Sequence, residues 1–477
     1  MRASERKRVA VVGAGVSGLT AAKCLIDAGL EPVVFEAGAE LGGIWRYDET
    51  LPEGGGPAYR GLRTNTTKQE TAFSDFPFPA HLPDHPPRAE VLRYLQAYAG
   101  RFDLCRRIRF RTEVSRINPA GAGRWTVETC SPAGRRVETY DAVVVGSGIF
   151  RDPVLPALPG LDTFAGTIMH SRAYMAPHDF AGQAVLVVGG GSSATDVAVE
   201  ASAVARHVYV SVRGMALGKD GPDQATPRRL RAALDRILSP VARDRLVRHA
   251  SLVWSGRLPR RGRVAPDAPF VLGTAPFVPN PKLRTPLAQG TVSLKPGIAH
   301  VDRDCVAFVD GSHAKINTIV FATGYALSFP FLATSIFSAA MDGLDLYRLV
   351  FPPEWPTLAF VGLFRVSGPA PPVAEMQARW ATGVFTGAVR LPSAGQMWAE
   401  IAARREQIAR TGGNPFRLNA AAYEDLLARE LDVLPRFWRH PTLVRPILAG
   451  PHVAAQYRLD GPGRWPGAAQ AILDAPT

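Results

Sequence analysis

Two glycine-rich turns constrain this chain more than any other feature: Gly13-Ala14-Gly15-Val16-Ser17-Gly18 and Gly189-Gly190-Gly191-Ser192-Ser193-Ala194. The first follows the apolar run Arg8-Val9-Ala10-Val11-Val12 and opens Leu19-Thr20-Ala21-Ala22-Lys23-Cys24-Leu25, while the second follows Ala184-Val185-Leu186-Val187-Val188. Apolar strand, glycine turn and small-residue helix in succession begin a βαβ dinucleotide-binding unit. Glycine is needed there because the turn is tight, because a side chain would hold a pyrophosphate off the backbone N–H groups, and because the helix packs closely on its strand. Ala194, small enough for the same packing, stands where the second turn would have its third glycine. The expected fold is α/β, with two Rossmann-like dinucleotide-binding domains.

The next strand of each unit predicts which dinucleotide it holds. Leu30-Glu31-Pro32-Val33-Val34-Phe35 ends in Glu36, where a carboxylate accepts hydrogen bonds from both hydroxyls of an adenosine ribose and repels a 2′-phosphate. That predicts FAD at the first site. Val208-Tyr209-Val210-Ser211-Val212-Arg213 instead carries a hydroxyl, Ser211, and a guanidinium, Arg213, which pairs with a dianionic phosphate in fork geometry. The second site is thus expected to take NADPH in preference to NADH.

Composition removes several other classes. A hydrophobic content of 46% with mean hydropathy near zero fits a globular enzyme of two or three domains. No apolar stretch reaches transmembrane length, and the start runs from Met1 into the first strand without a secretory segment, so a cytoplasmic protein with no membrane anchor is expected. Cys24, Cys105, Cys130 and Cys305 are scattered, which argues against a disulfide framework, a zinc site and the close redox pair of a disulfide reductase; no metal is expected. The formal charge of +13 comes from arginines spread along the chain, densest between positions 227 and 263. Without a recognised binding motif, that stretch reads as a solvated helical face, and no nucleic-acid partner is expected. A homodimer is compatible with the sequence.

The order of segments predicts an insertion. The first unit closes with Tyr140-Asp141-Ala142-Val143-Val144-Val145-Gly146-Ser147-Gly148, followed by the proline-rich Asp152–Gly160. The second closes with Ile316-Asn317-Thr318-Ile319-Val320-Phe321-Ala322-Thr323-Gly324-Tyr325, after which the chain returns to the first domain. The expected division is 1–160 for the first part of the FAD domain, 161–320 for an inserted NADPH domain, and 321–477 for the rest of the FAD domain with a C-terminal segment.

Between the turns stands Phe164-Ala165-Gly166-Thr167-Ile168-Met169-His170-Ser171-Arg172-Ala173-Tyr174, which resembles the identifying sequence of flavin-containing monooxygenases, the class B flavoprotein monooxygenases. Tyr59-Arg60-Gly61-Leu62-Arg63-Thr64-Asn65, Phe73-Ser74-Asp75-Phe76-Pro77-Phe78-Pro79, Phe321–Tyr325, Ala374-Glu375-Met376-Gln377-Ala378-Arg379-Trp380 and Gln456–Trp465 are similar to further segments of that family. The likeness covers nearly the whole chain. Met175 departs from the family's usual Lys or Pro, and Ser367–Val373 is unusually rich in proline.

The resemblance implies that NADPH reduces FAD, that O2 adds to form a C4a-hydroperoxyflavin, and that one oxygen atom enters a nucleophilic nitrogen or sulfur of a small molecule. It implies Asn65 as the catalytic residue, an amide able to bond the flavin hydroperoxide or NADP⁺. Gly43, Ile44, Trp45, Thr64 and Gln377 are implied to bind cofactor with the first turn, and Tyr174, Thr195 and Asp196 with the second. His170 reads as a structural hydrogen-bonder. The alternatives are Baeyer–Villiger oxygenation of a carbonyl, an NADPH oxidase releasing hydrogen peroxide, and a non-enzymatic flavin or NADPH sensor.

Overall fold

The computed structural model describes residues 6–50, 56–212, 281–337, 345–411 and 417–475. Arg213 and the arginine-rich stretch 227–263 lie outside these residues.

Each glycine turn leaves the central strand of a five-stranded parallel sheet. In the first sheet the strands lie in the order 358–360, 142–145, 8–12, 31–35 and 108–109. In the second the order is 292–295, 207–211, 184–188, 318–321 and 167–170. Strand Leu358–Phe360 pairs with Ala142–Val145 although the whole second sheet intervenes in sequence, so the second domain is inserted in the first. Each unit also carries a three-stranded antiparallel sheet, 113–140 in the first and 298–315 in the second, just before the strand that closes its parallel sheet.

The apolar strands are covered on both faces, as parallel sheets require. In the second sheet Val185 and Val187 enter one core with Val208 and Val210, while Leu186, with Ile319 and Phe321, enters another. Side chains alternate between faces along a strand, so an unbroken apolar run feeds both cores. The first sheet shares its core with helix Ala370–Thr386, which brings the last third of the chain against helix Val16–Asp27.

The two crossings between the units lie side by side. Asp152–Pro153 pairs antiparallel with Tyr325–Ala326, and the Val154 N–H donates to the Gly324 carbonyl at 3.0 Å. His170 pins this ribbon. Its Nδ1 accepts from the Arg172 N–H at 3.1 Å and its Nε2 lies 3.1 Å from the Gly324 carbonyl. The ring stands edge-on to Tyr325, which also meets Phe150. Both ring nitrogens serve the backbone, in keeping with the structural role expected of this histidine.

Candidate functional site

The first glycine turn is packed so tightly that its glycines are dictated by the protein itself. Gly13 has φ of +97°, and a Cβ there would lie 2.8 Å from the Gly146 carbonyl oxygen; a Cβ on Gly18 would lie 1.8 Å from the Gly13 carbonyl oxygen. A second glycine pair folds over the turn. The Gly42 N–H donates to the Ala14 carbonyl at 2.9 Å, and Gly43, with φ of +54°, approaches until a Cβ on it would be 3.0 Å from the Gly15 Cα. The short 3-10 turn Gly43–Trp45 then leaves Ile44 38% exposed while Trp45 is half-buried against the core.

Glu36 stands where the sequence places it, at the carboxyl end of the second strand. One of its oxygens accepts from the Ala14 N–H at 2.7 Å and the other from the Gly38 N–H at 2.8 Å. A carboxylate has about four acceptor positions, so two bonds fix its orientation and leave capacity for ribose hydroxyls. The helix starting at Val16 has Gly15 as its N-cap, with no capping side chain and no acid in its first turn. Ser17 lies on that first turn, against Gly362, and the leading N–H groups with the positive end of the helix dipole suit a pyrophosphate.

The second turn has the same plan with more space. Gly189 is dictated by packing, with φ of +138° and a Cβ position 2.4 Å from the Ala322 carbonyl oxygen. At Gly191 a Cβ would meet nothing within 4 Å. Helix Ser192–Ala201 also begins without a capping side chain or an acid in its first turn. Ser192 and Ser193 sit at that open end, with Ala194 and Thr195 buried behind them; the Thr195 hydroxyl donates to the Ser192 carbonyl at 2.8 Å. Ser211 is buried, its hydroxyl donating to the Pro296 carbonyl at 2.8 Å, so its proton is already committed within the protein.

Asp196 and Tyr174 bond within the protein. Asp196 lies a turn along the helix and accepts from the Tyr59 hydroxyl at 2.6 Å, while the Tyr174 hydroxyl donates to Glu200 at 2.7 Å. Gln377, also expected at the cofactor, is fully buried. Its amide accepts from the Gly362 N–H and donates to the Tyr423 hydroxyl, both at 2.9 Å. It therefore bears on the first site through Gly362, whose Cβ position would fall 2.2 Å from the Ser17 Oγ.

Asn65 is exposed on a loop fixed at several points. The Thr64 N–H donates to the Pro86 carbonyl, the Thr64 carbonyl meets His85 Nδ1, and Arg63 forms a bridge with Pro87. The buried Lys68 ammonium donates to the carbonyls of Ala80 and Leu82. Thr67, through a capping box with Glu70, starts helix Lys68–Thr71, so the Asn65 amide is not needed as its cap. Next to Asn65, the Thr64 Oγ1 is buried and has no hydrogen-bond partner.

The model of the Flavin-binding monooxygenase-like family matches residues 6–219 and 272–476. The chain belongs to this family. It is 36% identical over 492 residues to flavin-containing monooxygenase 5 of Mus musculus, covering 98% of this chain and 91% of that protein. It is also 36% identical over 491 residues to dimethylaniline monooxygenase (N-oxide-forming) 2 of Oryctolagus cuniculus, with the same coverage. Among solved structures, S-allyl-L-cysteine S-oxygenase from Allium sativum matches with a TM-score of 0.69 and 26% identity over 89% of this chain and 88% of that one. Cyclohexanone monooxygenase from Rhodococcus sp. Phi1 shares the fold, with a TM-score of 0.60 at 20% identity over 89% and 97% of the two chains.

As a member of this family, the protein is an NADPH- and FAD-dependent monooxygenase. Its residues fit both cofactors. The two helix ends without a capping side chain leave N–H groups for an anion, no atom of the described residues lies within 4 Å of a Cβ placed on Gly191, and the Thr64 hydroxyl has no partner among the described residues. Among the described residues the buried hydroxyls of Thr20, Tyr98 and Tyr140 likewise have no partner, and it is the position of Thr64 next to Asn65 that makes its hydroxyl available at the site. Gly43 was expected from the sequence, whereas Gly42 folding over the turn, the Gly362 turn and the reach of Tyr59 into the second unit were not. Leu41-Gly42-Gly43 was the available signal for the cover, since adjacent glycines mark a close backbone approach. No helix of the described residues is long and apolar enough to cross a membrane.

Proposed function

We propose that this monooxygenase transfers one oxygen atom to a nucleophilic nitrogen or sulfur of a small molecule, FAD being held at the first turn and NADPH at the second. The observation that carries the oxygenation site is Asn65, exposed on a multiply fixed loop beside the unpaired Thr64 hydroxyl. The choice of nitrogen or sulfur is supported by the N-oxide-forming relatives and the S-oxygenase neighbour, which are nearer in sequence than the Baeyer–Villiger-type neighbours. When bound, NADPH supplies electrons to FAD, and the reduced flavin activates O2 so that one oxygen atom goes to the substrate and the other to water.

The protein's part is to bind and orient. Gly15, Val16, Ser17 and Gly18 offer N–H groups to the FAD pyrophosphate, Gly13 and Ala14 shape the turn with their N–H groups bonded to the Phe35 carbonyl and Glu36, Glu36 takes the ribose, and Gly43, Ile44 and Trp45 cover the dinucleotide. Gly191, Ser192 and Ser193 do the same for NADPH, Gly189 shaping the turn with its N–H on the Ser211 carbonyl, and Arg213 takes the 2′-phosphate. Asn65 can donate and accept hydrogen bonds without carrying charge, which suits holding a proton on the reacting oxygen opposite an uncharged amine or thioether. The division at residues 160 and 320 and a cytoplasmic location belong to the same reading; all four cysteines being free supports a reducing compartment.

Incubation with NADPH, O2 and an amine, a thioether or a cyclic ketone tests the proposal. N-oxide or sulfoxide formation is expected. Lactone as the sole product would establish the Baeyer–Villiger alternative, and hydrogen peroxide equal to the NADPH consumed, with no organic product, would establish an oxidase. Arg213→Ala is expected to weaken NADPH about ten-fold or more and to leave NADH nearly unchanged, because it removes a charged partner of the 2′-phosphate alone. Equal losses for both would reject the assignment.

A further inference from the structure

The flavin unit reaches into the nicotinamide unit at one place. Residues 56–62 belong to the crossover between strands 31–35 and 108–109 of the first sheet, yet the ring of Tyr59 is buried in the core of the second unit, among Tyr174, Ala194, Val197 and Ala198. The Tyr59 and Tyr174 rings are 5.7 Å apart and tilted, and their hydroxyls reach carboxylates one helical turn apart on helix Ser192–Ala201. The Arg60 N–H donates to the Met175 carbonyl at 2.9 Å. Gly61 presses on the same helix, where a Cβ would lie 2.0 Å from a Glu200 oxygen.

We propose that Tyr59 is a positioning residue for hydride delivery, its hydroxyl on Asp196 fixing the helix that carries the NADPH pyrophosphate at a set distance from the flavin unit. Tyr174 on Glu200 steadies the same helix from within its own unit. Charge-assisted O–H bonds are short and directional, and a buried phenol donating to a carboxylate stays protonated, because both burial and the neighbouring anion disfavour phenolate. The helix is thereby held near its nucleotide-bearing end as well as through the two chain crossings. Donor and acceptor rings must meet at near-contact distance for the hydride to leave NADPH, giving NADP⁺, and reach FAD, so a small displacement of this helix slows that transfer while the nucleotide contacts stay intact.

The inference rests on NADPH occupying the second turn, and the test separates the two. FAD-loaded Tyr59→Phe, which keeps the ring and its packing, is mixed anaerobically with NADPH over a range of concentrations. The limiting rate of flavin bleaching is expected to fall about ten-fold or more, with the apparent NADPH Kd changing less than about three-fold. NADP⁺ titrated calorimetrically should bind the variant nearly as tightly as the wild type, and hydrogen exchange of residues 192–201 should rise before any nucleotide is added. Asp196→Asn should reproduce the rate loss, and the double variant should be no slower than either single one. An unchanged limiting rate in Tyr59→Phe, whatever happens to its melting temperature, overturns the positioning role. Gly191→Leu serves as control: if it leaves NADP⁺ binding unaltered, the assignment of NADPH to the second turn is what fails.

Discussion

The two glycine turns share a plan and differ in what requires their glycines. At the first, Gly13 and Gly18 each face backbone at distances that exclude a Cβ, Gly43 leaves little room for one, and Glu36 bonds the Ala14 N–H of the turn itself. At the second, Gly189 is held in the same way, but among the described residues nothing lies within 4 Å of a Cβ on Gly191. A closed, self-supporting cradle suits a cofactor that enters once and stays, and an open one suits a nucleotide that enters and leaves with every turnover. Within such turns Gly13 and Gly189 answer to the protein, whereas Gly191 leaves room for a ligand.

The comparison breaks most sharply at Gly13. Gly13→Val places a branched side chain against Gly146 at a φ of +97°, a conformation that costs about 1–2 kcal/mol before any clash is counted. The protein should purify without flavin and melt lower; a normal flavin spectrum would show that this turn does not seat the cofactor.

Gly191→Leu sharpens the contrast. The fold and flavin content should be retained, while NADPH binding weakens by at least about ten-fold, or 1.4 kcal/mol. Loss of flavin in this variant, read from the absorbance ratio of the purified protein, would mean that the second turn is no more tolerant than the first.

Glu36→Gln is expected to cost about 1.5–3 kcal/mol of FAD affinity, the worth of hydrogen bonds to a charged acceptor, and dialysis against apoprotein would measure it. An unchanged affinity would remove the ribose from Glu36.

The smallest effect is a pH dependence confined to the second helix. Burial raises the Glu200 carboxyl above its ordinary 4.5, the Tyr174 hydroxyl bond and Lys282 act in the opposite sense, and Asp196 adds to the rise. The native state therefore holds this proton more tightly than the unfolded chain. The associated stability is complete below 4.5 and is lost as pH rises through the raised value. Glu200→Gln, which does not titrate, should gain on the wild type in melting temperature as pH rises through that window, by the equivalent of less than about 1 kcal/mol. A difference that does not vary with pH would contradict this assignment.

Fold class, insertion and the two turns were legible because each rests on a local pattern: a strand, a glycine turn and a helix adjacent in sequence. The position of Glu36 was legible for the same reason, as the residue that follows a strand whose direction the turn had already set. The partners of Asp196, Tyr174 and Gln377 were not. Their motifs show that they are fixed, but a polar residue on a helix bonds whatever packs against that face, and Tyr59 and Gly362 come from distant parts of the chain. Ser211 shows the same limit, since its strand position was right while its hydroxyl had a backbone partner, Pro296, supplied from beyond the next strand.

The pairing of Asp152–Pro153 with Tyr325–Ala326 has a bearing on how such a molecule can be rebuilt. Because the chain leaves the first sheet and returns to it at neighbouring points, the stretch between them is a cassette with adjacent ends. It can be exchanged for the corresponding stretch of a relative, or closed on itself with a short joint, while the host sheet keeps its strand order. Besides its two ends, the inserted unit is joined to its host through Tyr59, so an exchange has to carry the partner Asp196 with it.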